Sequence, residues 1–135
     1  MNKWNAVCNA LNIIIILLLL IITICGISSF DTSYSYEIVN QYGENIQMWG
    51  AGIYAHDSYF KAPIFIGSDF TILLFIVPLT IITLLRNKKG SAIDYDIRVS
   101  GILSMLLYYS ASLAFGVTYN SLHLVYILLF GLCFF

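Results

Sequence analysis

The chain has 135 residues, of which 60% are hydrophobic and only 10% are charged, and its formal net charge is −1. A soluble domain carries about 25% charged residues, and a domain of this size has too much surface for its volume to hide so many apolar side chains. The composition therefore excludes an ordinary soluble domain and gives no sign of nucleic acid as a partner. It predicts an integral membrane protein, with the lipid bilayer as its partner.

The first predicted element is a transmembrane helix over residues 6–27. Residues 13–22 are an unbroken aliphatic run, and about 20 apolar residues cross a hydrocarbon core of about 30 Å. A helix lets a single segment satisfy its own backbone groups in lipid. A cleaved signal peptide, with Lys3 as its basic region, is the alternative. We favour the anchor because the apolar run is long and no A-x-A cleavage site follows it.

Segment 28–62 is predicted to be a polar outer loop. It is rich in Tyr, Ser, Asn and Gly, and it carries four acidic residues against one lysine. Residues 34–39 and 46–54 alternate apolar and polar side chains, and Gly43-Glu44-Asn45 between them is a turn signal. The sequence therefore predicts a small hairpin within this loop.

Three further spans are predicted, over residues 63–85, 98–117 and 121–135. Pro63 suits a first helical turn, whereas Pro78 lies inside its span and is expected to kink the helix. The third span has small residues at spacings that let another helix approach closely. These small residues are Ser100, Ser104, Ser112 and Gly116. The fourth span is too short to cross fully, which predicts a truncated chain.

The predicted fold class is an all-α integral membrane protein with a single membrane domain over 1–135. It is a helical bundle of at least four transmembrane helices with a polar outer loop. Lysine and arginine collect in cytoplasmic loops, and five of the six basic residues flank span one or the connection between spans two and three. The sequence thus predicts a multi-pass protein of the cell membrane, with a cytoplasmic N-terminus and loop 28–62 outside.

Asp69 is the first candidate ligand-binding residue. If the second helix begins at Pro63, the carboxyl group lies about 9 Å along it. An acid at that depth is costly and often functional. In the alternative interpretation, Gly67-Ser68-Asp69 is an N-cap and the helix begins at Phe70.

The other candidate ligand-binding residues are His56, Asp57, Asn120 and His123. His56 with Asp57 resembles an acid–base pair or part of a metal site, although a solvated loop with Asp57 as a cap explains the pair as well. His123 faces either the bundle or interfacial water. The predicted topology places Asp57, Asn120 and His123 with Asp69 at the outer leaflet, where they would line an outward-facing cavity. No catalytic residue, metal site or particular cofactor is indicated, because no specific motif such as G-x-S-x-G is present.

Four stretches resemble an uncharacterised family of prokaryotic multi-pass membrane proteins. They are residues 52–58 (GxYxxDS), 67–73 (GxDxTxL), 108–120 (ending in FGxxYN) and 124–130. The resemblance covers the chain from Gly52 onward and implies further spans after the fourth. It implies no activity, because the family's function is unknown.

Three function classes follow from these observations. The first is transport or sensing of a small ligand or ion through the outer-leaflet polar cluster. The alternatives are a membrane-embedded enzyme and a scaffold or assembly subunit of a membrane complex, with another membrane protein or a second copy of the chain as partner. An enzyme is the less favoured of these, because no specific motif supports it.

Overall fold

The structure, a computed structural model, describes residues 3–86 and 92–134. This part of the chain is mostly helical. The helices are α1 (Lys3–Ser28), α2 (Lys61–Arg86), α3 (Ala92–Gly116) and α4 (His123–Phe134). Between α1 and α2, strand β1 (Tyr36–Val39) pairs antiparallel with β2 (Asn45–Met48), and a 3-10 turn follows over Gly52–Tyr54.

Three of the helices are long and apolar enough to cross a membrane, over Val7–Ser28, Lys61–Arg86 and Ile93–Gly116. Helix α4 is apolar but has 12 residues, fewer than the about 20 that a crossing needs. The structure therefore agrees with a membrane protein of at least three spans.

Helix α3 begins earlier than predicted, at Ala92 rather than near Arg98. Asp94 lies in its first turn, where a negative charge interacts favourably with the helix dipole. The polar residues before Arg98 are therefore compatible with helix, although their composition predicted a connection. Residues 87–91 of the predicted connection lie outside the described part of the chain.

Helix α2 begins at Lys61, so Asp69 lies well inside it. The interpretation of Asp69 as an N-cap is therefore wrong. Ala62, Ile66 and Asp69 are all buried, and their spacing puts them on one face of a helix. Packing of that face holds the first two turns in helix, with Pro63 in the first turn as predicted.

A π-helical turn interrupts α2 over Ile72–Ile76. Pro78 has no N–H with which to bond the carbonyl of Leu74, and a π-turn is a common local adjustment within helices. The N–H of Val77 bonds the carbonyl of Ile72, five residues earlier. The irregularity predicted at Pro78 thus lies in the turn that precedes it.

The predicted hairpin is present, and its turn depends on Asn40. The Asn40 Oδ1 accepts hydrogen bonds from the backbone N–H groups of Tyr42 and Glu44, each at 2.9 Å. Gly43 has a φ of 81°, a conformation that glycine adopts without strain. The second strand ends at Met48, earlier than the predicted alternation.

The rest of the loop folds back onto the C-terminal end of α1. Trp49 is 1% exposed, and its Nε1 donates to the carbonyl of Ser29 at 2.7 Å. The Ser29 hydroxyl accepts the N–H of Ile53 at 2.9 Å. Gly52 has a φ of 58°, and a Cβ there would overlap Ser29. Residues 29–60 therefore cover one end of the helices, which we call the loop end.

Candidate functional site

The side chain of Asp69 is the centre of the site. It is 0% exposed and lies within a helix that is apolar enough to cross a membrane. The Tyr54 hydroxyl donates to its Oδ2 at 2.7 Å, and the Tyr109 hydroxyl donates to its Oδ1 at 2.5 Å. The loop and α3 therefore each supply one donor, and both carboxyl oxygens are hydrogen-bonded.

Helix α1 closes the site at Gly26. A Cβ at this position would overlap Oδ2 of Asp69 and would lie 3.3 Å from the Tyr54 hydroxyl oxygen. Small residues allow such close approach between helices in membranes. Asp69 is therefore enclosed by α1, the loop and α3 around its own helix.

Tyr54 belongs to the loop, and its ring stacks on Phe65 with centroids 5.8 Å apart. Burial, followed by the interaction with Asp69, raises the pKa of Tyr54 well above its ordinary value. The Tyr54 hydroxyl therefore stays protonated and remains a hydrogen-bond donor at physiological pH. Asp57 lies beside Tyr54, since its backbone N–H donates to the carbonyl of Tyr54 at 2.9 Å.

Asn120 connects this network to the surface. Its Nδ2 donates to the carbonyl of Ile53 at 3.0 Å and to the Tyr126 hydroxyl at 3.3 Å. Asn120, His56 and Tyr119 also line an open groove of about 500 Å³ beside the end of α1. We call this the loop groove. Hydrogen bonds thus lead from the loop groove through Asn120 to the buried Tyr126 and to the backbone of Ile53, which precedes Tyr54.

Asp57 is a second buried acid, 1% exposed. Its Oδ1 accepts the backbone N–H of Thr118 at 3.1 Å and the Thr118 hydroxyl at 2.9 Å. The same oxygen lies 2.9 Å from Nζ of Lys61. Its Oδ2 is buried and has no hydrogen-bond partner among the described residues. Asp57 therefore fastens the loop to the connection between α3 and α4.

Replacing Lys61 with methionine is expected to lower the free energy of unfolding by about 1–2 kcal/mol. The substitution leaves the Asp57 carboxylate without its cation, and the effect is moderate because the Lys61 side chain is 37% exposed. Reversible unfolding in mixed micelles measures the change. In an Asp57→Asn background, the same substitution should lower the free energy of unfolding much less. An equal loss of stability in both backgrounds would show that the loss does not come from the ion pair.

The side chains of His56 and Asp57 point in different directions and contact different residues. His56 is exposed, and its Nδ1 lies 3.3 Å from the Tyr36 hydroxyl, whereas the Asp57 side chain is turned into the protein. The structure therefore gives no support to an acid–base pair formed by these neighbours. Within residues 3–86 and 92–134, no group of three or more His, Cys, Asp or Glu side chains is placed to hold a metal ion.

His123 lies at the start of α4, beside the same network. Its ring centroid is 5.1 Å from that of Tyr119 and 6.2 Å from that of Tyr126. The Nδ1 atom is buried and has no hydrogen-bond partner in the described part of the chain. His123 therefore faces the bundle side, which was one of the two predicted orientations.

The polar residues that were predicted to lie at one end do lie together, but both acids are buried rather than facing an open cavity, and Asn120 is the one of the four that lines the loop groove. Asp57, Asp69, Asn120 and His123 lie at the loop end, all four close to Tyr54 or Tyr126, and His56 lies apart from them on the loop groove. Sequence reasoning missed three residues that build the site, Gly26, Tyr54 and Tyr126. The position of Tyr109 in the middle of the third predicted span indicates an interhelical hydrogen bond, and the structure shows that bond to Asp69. Gly26 could have been recognised as a point of close helix approach, since it is the one glycine in residues 6–27.

No protein family, curated protein or solved structure matches this chain significantly. The resemblance to an uncharacterised family of prokaryotic multi-pass membrane proteins therefore stays a prediction. The function has to be argued from the geometry of the site.

Proposed function

We propose that the chain is a multi-pass protein of the cell membrane that senses or transports a small ligand or ion at the outer leaflet. Asp69 is the residue that binds the ligand in this proposal, and the ligand is a proton or a small cation. The observation that carries this proposal is the full burial of Asp69 inside a helix apolar enough to span a membrane. Among the described residues, no basic side chain forms an ion pair with it.

The cost of burying an acid is the physical argument. A carboxyl group within a membrane span is expensive and is commonly retained for function. If the side chain at position 69 served only to hold α2 against its neighbours, an apolar or amide side chain would do so at a lower cost in desolvation free energy. The Tyr54 and Tyr109 hydroxyls donate to Asp69, and their oxygens keep lone pairs. A proton or a cation at the carboxyl group therefore meets oxygen ligands, which hard cations prefer.

The charge around the loop end supports a cation over an anion. The hairpin carries Glu37 and Glu44, both exposed, and Asp31 lies next to it. Lys61, the first residue of α2 and the one lysine of segment 28–62, is already paired with Asp57. Negative charge around an opening raises the local concentration of cations. The loop groove, with Asn120 and then Tyr126, is the approach we propose toward Asp69.

Replacing Asp69 with asparagine tests the proposal. Asparagine keeps the shape and can still bond both tyrosines, so folded yield and the thermal midpoint should change little. The purified protein in liposomes is examined by infrared difference spectroscopy on a step in pH, and on exchange of Na⁺ for a large organic cation. The wild type should show a carboxyl band that responds to the step, and Asp69→Asn should lack it.

Asp94→Asn is the matched control, because Asp94 is an exposed acid in the first turn of α3. This variant should keep the responding band of Asp69. If Asp69→Asn instead lowers only the folded yield, and the wild type shows no responding band, Asp69 serves only to hold the loop and the helices together. The scaffold or assembly function would then be the better explanation.

A further inference from the structure

Helices α2 and α3 leave a groove of about 870 Å³ between them near the loop end. It is lined by residues from 64–76 of α2 and 104–116 of α3, a length of about 18 Å on each helix. Toward the other end the two helices pack together, and Thr83 and Ile102 line a void of about 10 Å³. The groove therefore extends over about one leaflet of a hydrocarbon core of about 30 Å.

Tyr108 is the residue that the fold leaves unexplained in this groove. Its side chain is 79% exposed, and its hydroxyl makes no hydrogen bond within the described residues. The Cα of Tyr108 lies about 12 Å along α3 from Gly116, which places it inside the hydrocarbon region. A polar group left unpaired in an apolar medium is costly, so the hydroxyl requires a partner from outside the described chain.

The other hydroxyl groups that line the groove already donate hydrogen bonds within the protein. Each donates to a carbonyl of its own helix, at distances between 2.7 and 3.0 Å. These groups are Ser68, Thr71, Ser104 and Ser112. Tyr109 likewise donates its proton to Asp69. Among the described residues lining the groove, Tyr108 is thus the one hydroxyl with a free donor, and the missing partner is an acceptor.

We propose that this groove binds a lipophilic molecule that carries an acceptor oxygen, such as a ketone, on an apolar chain. The molecule enters sideways from the leaflet at the loop end, and Tyr108 donates to its oxygen. Ile72, Ile76 and Met105 line the path of the apolar chain. The volume of the groove lies within the range of about 300–1,000 Å³ that is usual for small-molecule sites. This inference does not rest on the proposed response of Asp69.

The free donor of Tyr108 favours this occupant over a helix from another copy. Such a helix would insert only one face, and an apolar face offers the Tyr108 hydroxyl no acceptor. It would also continue through the second leaflet, where α2 and α3 close up. An ordinary lipid tail fits the volume but offers Tyr108 no acceptor at this depth.

The test uses two probes that differ in one group. One is an eighteen-carbon fatty acid with a ketone half-way along its chain, and the other is the unsubstituted eighteen-carbon acid. Each competes with a diazirine-bearing fatty acid for photo-crosslinking to the full chain in phosphatidylcholine nanodiscs. The keto acid should compete about threefold to tenfold better, the effect of one hydrogen bond, and crosslinks should map to α2 and α3.

Three variants complete the test. Tyr108→Phe should remove the preference for the keto acid and leave competition by the plain acid unchanged. Ser112→Leu fills the groove and should reduce crosslinking of both probes. Ala10→Leu, a similar change at an exposed position of α1, should change neither. Equal competition by the two acids in the wild type overturns the proposal. Disulfide-linked dimers of Tyr108→Cys that exclude the probe would overturn it in favour of a second copy.

Discussion

Replacing Gly26 with alanine is expected to lower the free energy of unfolding by about 3 kcal/mol. The new methyl group would overlap Oδ2 of Asp69. This oxygen is tied to Tyr54 by a hydrogen bond, so it cannot swing aside without losing its donor. Either α1 moves away from α2 or the buried carboxyl group gives up a bond. Reversible unfolding in mixed micelles, followed by circular dichroism, measures the loss.

Two other helical glycines serve as controls. A Cβ at Gly67 or at Gly101 would meet nothing within 4 Å. Alanine there should leave stability unchanged or raise it by about 0.5–1 kcal/mol, because glycine is the poorer helix former. The cost of Gly26→Ala should also shrink in an Asp69→Ala background, where the overlap is gone. Similar costs at Gly26 and Gly67 would show that α1 does not approach Asp69 as closely as described.

Removing the hydroxyl donors of Asp69 is the second change with a large expected effect. Tyr54→Phe and Tyr109→Phe should each lower the free energy of unfolding by about 1–3 kcal/mol. The double variant should lose more than the sum of the single variants, because the buried carboxyl group then has no donor left. The same unfolding assay measures all three.

Tyr108→Phe is the natural control, since Tyr108 is adjacent in sequence and its hydroxyl is unbonded in the described chain. Its effect on stability should be within about 0.5 kcal/mol. A double-mutant cycle with Asp69→Leu then isolates the bonds themselves. If Tyr109→Phe costs as much with leucine at position 69 as with aspartate, the effect comes from packing of the ring and not from the hydrogen bond.

The proposed ion site and the proposed lipophilic site meet at one residue. Tyr109 lines the groove between α2 and α3 and donates its proton to Asp69. A molecule that displaces the Tyr109 ring would therefore alter the donors of Asp69. The two sites have separate tests, because Tyr108→Phe leaves the bonds of Asp69 intact and Asp69→Asn leaves the groove open.

Several features were predictable from the sequence alone because they depend on local chemistry. The unbroken aliphatic run of residues 13–22 predicts a membrane helix whatever packs against it, since a helix satisfies its own backbone. The hairpin turn around Gly43 was predictable because glycine is suited to positive φ. The position of the polar groups at one end of the bundle followed from their places relative to the predicted spans, whereas their burial did not.

The tertiary structure alone decided the role of Asp69. The sequence was compatible with Asp69 as a helix cap and with Asp69 as an acid inside a span. The residues Gly67-Ser68-Asp69 are the same in both interpretations, which differ only in where the helix begins. Only the packing of Ala62 and Ile66 against the other helices extends α2 back to Lys61 and buries Asp69. Its two donors come from Tyr54 and Tyr109, 15 and 40 residues away along the chain. Contacts at such separations depend on how helices are placed side by side, and the local pattern carries no information about that placement.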